Sequence, residues 1–182
     1  MNLFRVCVGL WLLILVGCGP AADVRVFQPQ YSGAEQNIHL QSERVFWAPE
    51  HGLVRVLAEF PLPGAVSGRP TYLLYLRMPV GGSGDALAAG GEQQIRGFLI
   101  QTQGRNAGLE TVREGKVSVK GKSEAPDAVR QLQVDLSFEH NTLLSGRLTA
   151  RRNDRYLSTF ETRLHPLDVQ ALKSPPTTAA VP

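Results

Sequence analysis

Sulfur is scarce in this 182-residue chain, and its placement removes whole classes of chemistry. The two cysteines, Cys7 and Cys18, both stand close to the amino terminus. Residues 19–182 therefore offer no disulfide, no thiolate nucleophile and no cysteine-based metal site. Histidine is thin as well: His39, His51, His140 and His165 never stand three to five residues apart, so no local His–His metal spacing exists. No Gly-x-Ser-x-Gly elbow occurs. The glycine clusters at 81–84 and 104–108 lack the Gly-Lys-Ser/Thr of a phosphate loop, and no Asp/Asn calcium loop is present. The chain nominates no catalytic residue, no cofactor and no metal.

Charge is also modest. The net excess is +3 and the isoelectric point about 9.1. Basic residues are dispersed, and the Arg151-Arg152 and Arg155 group is interrupted by Asp154. This pattern reads as a solvated surface and excludes a nucleic-acid footprint. An exposed sheet edge is the natural docking site for a partner, through strand addition, and the Gly81–Gly91 loop or the arginines Arg147, Arg151, Arg152 and Arg155 can contribute to that surface. Paired carboxylates fare no better as chemistry: Asp135 and Glu161 flank Arg147 in the expected strand order and read as cross-strand ion pairing. Ser137, near Glu139 and His140, shares an outer strand face with Glu139 and reads as a solvated neighbour.

What is present begins at the amino terminus. Arg5 precedes an uncharged apolar run from Val6 to Val16, followed by the small residues Gly17 and Cys18. A basic start, a short apolar run and a small-residue cleavage site make a secretory signal. The run falls short of the roughly 20 apolar residues that a spanning helix requires. Leu15-Val16-Gly17-Cys18 resembles the lipobox of bacterial lipoproteins. That resemblance implies cleavage before Cys18, diacylglycerol on its thiol and acylation of the new amino terminus. Gly19 stands where an Asp would favour inner-membrane retention, so the resemblance implies the outer membrane, facing the periplasm. Each buried methylene contributes about 0.8 kcal/mol, and two or more chains hold stably.

The remainder is dominated by a period of two. Along Val129–Glu139, Leu132, Val134, Leu136 and Phe138 share one face, and polar residues the other. Glu139-His140-Asn141-Thr142 reads as a turn. Leu144, Gly146, Leu148 and Ala150 then face inward, with Arg147, Thr149 and Arg151 outward. Asn153-Asp154 reads as a second turn, and Tyr156 to Arg163 as a third strand of a meander. Ile38–Trp47 and Leu53–Phe60 flank a hairpin turn at Pro49-Glu50-His51-Gly52. Thr71–Met78 is apolar on both faces, the pattern of a strand covered on both sides. Ile95–Thr102 and Thr111–Lys120 read as an antiparallel pair, with Gly115 marking a bulge or turn. Gly81–Gly91 reads as a loop, and Pro166–Lys173 as the sole helical segment.

These signals predict a mainly β chain, an antiparallel β-sandwich of about eight strands, with an up-and-down β-barrel as the alternative. The expected organisation is a signal peptide at 1–17, a lipidated tether at 18–36 in which Val24, Val26 and Phe27 suit an early strand, a sandwich domain at 37–172 and a disordered tail at 173–182. The functional expectation is a membrane-anchored, non-catalytic module contacting an envelope protein. The alternative is a barrel carrying a small molecule or lipid in a lumen lined by Tyr72, Leu74, Leu76 and Phe98.

Overall fold

The computed structural model describes residues 20–29, 36–61, 72–79, 86–88, 95–103, 106–120 and 129–164, with only the backbone course for 86–88, 103, 106 and 107. The leader at 1–17, Cys18, the Pro166–Lys173 helix and the tail at 173–182 lie outside the described residues.

Ten strands form one continuous sheet: β1 (Ala22–Gln28), β2 (Gln36–Ser42), β3 (Arg44–Glu50), β4 (Leu53–Phe60), β5 (Tyr72–Pro79), β6 (Ala86–Ala88), β7 (Arg96–Gln103), β8 (Asn106–Lys120), β9 (Arg130–Phe138) and β10 (Leu143–Arg152). Among the described residues one helix, α1, spans Asp154–Glu161. Strands β3, β4, β5, β7, β8, β9 and β10 pair in succession and close into a ring. Neighbours in such a ring alternate in direction, so an odd number of strands forces one parallel contact. That contact is the seam between β10 and β3, where Arg151 and Arg152 pair with Phe46 and Trp47. The chain is therefore a closed barrel, and the expected sandwich is corrected. Closure removes the free edges that two facing sheets would leave.

Two devices bend the sheet shut. Strand β8 pairs with β7 up to Thr111 and with β9 from Val112, and a bulge between Val112 and Glu114 marks the switch, just ahead of Gly115. Strand β10 changes partner in the same way. Its Leu143–Leu148 edge pairs with β1, and the next residues on that edge meet β3. The β1–β2 hairpin thus splays from the seam, and Ser42 manages the bend into β3. Its hydroxyl donates to the Glu59 carbonyl and accepts from the Arg44 amide at 2.9 Å. The β3–β4 turn is as expected. His51 and Gly52 both hold positive φ, 39° and 82°, as a two-residue type I′ hairpin requires.

Strand alternation sorts the core. Inward residues fill the barrel with Trp47, Val56, Phe60, Tyr72, Leu74, Leu76, Leu99, Val117, Leu132, Val134, Phe138 and Leu148, all buried in one cluster. A second cluster lies outside the ring, where Leu57, Leu73, Tyr75 and Phe98 of β4, β5 and β7 pack against Leu157, Tyr156 and Phe160 of α1. Strand β5 is therefore covered on both faces, as its sequence predicts. Phe98 belongs to this outer cluster and not to the lumen, which corrects its expected place.

The third meander strand is also corrected, because residues 154–161 are α-helical. Asn153 caps the helix, its side chain accepting from the Tyr156 amide at 3.0 Å, and Asp154 sits in the first turn. Tyr156, Leu157, Phe160 and Leu164 recur at helical spacing and face the sheet. Burying Leu157 alone contributes about 2 kcal/mol. Two further expectations change. The early strand that Val24, Val26 and Phe27 suggest within the tether forms as β1, and its Ala22, Val24 and Val26 are core residues, so the barrel begins ahead of residue 37. The segment read as the Gly81–Gly91 loop contains β6, paired with Lys116–Ser118 of β8.

Candidate functional site: a groove on the outer barrel face

The outward positions of β1, β8, β9 and β10 form a polar face, and cross-strand register decides which side chains meet. One row runs Asp23, Arg147, Gln133; a second runs Thr149, Gln131, Lys120. Pro20 closes the end, where the Thr149 amide bonds the Ala21 carbonyl at 2.5 Å. Together these residues line a groove of about 320 Å³, to which Leu132 and Leu148 also contribute.

Asp23 is engaged by His39 Nε2 at 2.6 Å. Neither Lys120 nor Arg147 has an ion-pair partner among the described residues. The groove therefore presents two available cations beside three neutral hydrogen-bonding side chains. It is suited to holding an oxyanion rather than to moving a proton. Comparison with family models, with curated proteins and with solved structures yields no match.

The four arginines expected to share a surface are divided by the fold. Arg147 lines the groove, and Arg151 is exposed four residues further along the same strand face. Arg152 has the opposite parity. Its guanidinium pairs with Asp154 at 2.8 Å and lies 5.7 Å from the Trp47 ring centroid. Arg155 is exposed on α1. Arg130, which no pattern in the sequence marks, also stacks over Trp47, at 4.1 Å from the ring centroid. The expected pairing of Asp135 and Glu161 around Arg147 does not form. Asp135 faces Ser145 and Lys116 in register, and Glu161 sits on α1.

Glu161 instead anchors the helix. It accepts from Arg55 Nη1 at 2.6 Å and from the Tyr75 hydroxyl. Further along α1, the Tyr156 hydroxyl donates to Glu59 Oε1 at 2.6 Å and accepts from Arg44 Nη2 at 2.6 Å. Arg55 and Glu59 are only 8% and 6% exposed, so these contacts form largely out of water. A third polar group closes one barrel end, where Gln28 donates to Gln101 at 2.9 Å and Thr142 donates to Glu110 at 2.9 Å. Among the described residues no cluster of three or more His, Cys, Asp or Glu side chains has the arrangement to hold a metal, and no helix is long and apolar enough to cross a membrane.

Burial raises the pKa of three tyrosines above the ordinary 10.0. The Glu110 charge adds to it at Tyr72, and the hydrogen bonds to Glu161 and Glu59 add to it at Tyr75 and Tyr156. A raised folded-state pKa contributes stability that is complete below the unfolded value and lost as pH climbs through the folded one. Phenolate absorbance of the native protein is expected to lag that of the urea-unfolded chain above about pH 10. The same pH range brings a falling urea midpoint. Superimposable titrations of the two states would contradict the described burial.

Proposed function

We propose that this protein is a lipid-anchored, non-catalytic module of the bacterial envelope that docks an extended segment of another envelope protein. The anchor is Cys18, acylated after removal of residues 1–17, and the residence is the outer membrane facing the periplasm. The reading is carried by the filled barrel. Trp47, Phe60, Tyr72, Leu74, Leu76 and Phe138 occupy the lumen in one packed cluster, so recognition falls to the outer surface. The same packing weighs against the carrier alternative, which needs an apolar cavity of some size.

Strand β2 is the docking edge. It bonds β1 along one side from Gln36 to Ser42, and among the described residues no strand pairs with its other side. An extended peptide can add there through backbone hydrogen bonds. Asn37, His39 and Gln41 are exposed and keep the edge polar.

The test has two parts. Palmitate labelling in cells is expected to mark the wild-type protein and to leave Cys18→Ser unlabelled. A photo-crosslinker at Asn37, four residues along β2 from the Gln41 that pairs with Asp23, is expected to join one protein partner, whereas one at Ser158 on α1 does not. A bare Cys18 thiol in the intact mass, or equal crosslinking from both faces, would overturn the reading.

A further inference from the structure

We infer that the groove between Pro20, Lys120 and Arg147 seats the phosphate of a lipid headgroup in the membrane that holds the anchor, which turns the β8–β9–β10 face toward the bilayer. The inference rests on acylation of Cys18 and goes beyond it by fixing which face of the barrel meets the lipid.

Covalent geometry supplies the first argument. Pro20 lines the groove, and only Gly19 separates it from Cys18. Two residues span at most about 7 Å, so an acylated Cys18 holds the Pro20 end of the groove at headgroup level. The link keeps the groove within reach of the headgroups, and the groove's charges decide which face turns down. Ala22 is fully buried, and the Ala21 carbonyl is bonded to β10.

Charge supplies the second. Lys120 and Arg147 stand in adjacent cross-strand rows of the groove, both exposed and both without an ion-pair partner among the described residues. Gln131, Gln133 and Thr149 stand between them with donors for a phosphate's remaining oxygens. Asp23, the groove's single carboxylate, is turned to His39 at 2.6 Å. On the opposite side of the ring, β4 and β5 are covered by α1, and among the described residues no comparable face stands there.

The test uses the natural lipidated protein in phosphatidylcholine vesicles containing phosphatidylglycerol, with a nitroxide carried on the headgroup of a tracer lipid. A fluorophore goes on Ser145→Cys, on the groove face, or on Ser158→Cys, on α1; both positions are exposed. Quenching at position 145 is expected to exceed that at 158 by about threefold and to weaken with salt, since exposed charges are screened within about 10 Å. The double reversal K120E/R147E is expected to abolish that excess while the urea midpoint stays unchanged. Equal quenching at the two positions, or an excess that survives the reversal, would overturn the inference and leave the anchor standing. An intact mass without acyl chains, with protein that fails to float with the vesicles, would overturn both.

Discussion

Glu161→Ala is expected to lower the unfolding free energy by about 3 kcal/mol, because removing one partner of a largely buried ion pair strands the other. The stranded group is Arg55, whose side chain is 10% exposed and whose Nη1 loses its 2.6 Å contact. Glu50 does not replace it, since it lies 4.0 Å from Arg55 Nε and is committed to Arg77 at 2.6 Å. The Tyr75 hydroxyl loses its acceptor at the same stroke. Urea denaturation measures the loss, and amide exchange across Asp154–Glu161 locates it. Glu161→Gln keeps an acceptor for Tyr75 without the charge and is expected to fall between wild type and alanine. A loss under about 1 kcal/mol would place the pair with ordinary surface salt bridges.

Gly146→Val carries an effect of similar size from a different cause. Gly146 lies in β10 opposite Val24 of β1, with φ at 153°, a conformation that a β-branched residue resists. A Cβ there would collide with the Asp23 carbonyl oxygen and come within 2.6 Å of the Val24 Cα. Backbone has no rotamer with which to give way, so β1 must shift from β10. The expected cost is about 3 kcal/mol, with Gly146→Ala intermediate. Thermal unfolding measures the loss. A Gly146→Val protein as stable as wild type would mean that β1 does not pack on β10 in this register.

Much of this architecture is legible from alternation alone, and the failures share one origin. The β9 and β10 faces are read correctly because one side is apolar and the other polar, so parity is marked at every residue. Parity is unmarked where both faces are apolar: Phe98 and Leu99 are adjacent and equally hydrophobic, and only the structure assigns Phe98 to the helix side. Residues 156–163 mislead for a related reason. Tyr156, Ser158, Phe160 and Thr162 alternate, yet Tyr156, Leu157, Phe160 and Leu164 fit a helix equally well over so short a span. The arbiter was available in Asn153-Asp154, an N-cap with an acidic first turn that also passes for a β-turn.

Closure and the groove lie deeper. Ring and sandwich use the same alternating strands, and the difference rests on a parallel seam of two residue pairs that leaves no pattern in the chain. Arg147 is visible in the sequence as an outward cation. Its grouping with Lys120, Gln131 and Gln133 depends on register between strands, which a one-residue slip would dissolve.

The pairing of Ala22 with Leu148 carries a consequence for the order of assembly. The first strand to emerge from a ribosome or a translocon finds its lasting partner near the end of the described chain, so β1 must wait, with only β2 to shelter it. Contacts that distant in sequence are slow to form. The interval before β10 arrives is when the apolar side of β1, with Val24 and Val26, stands most open to chaperones and to misassembly.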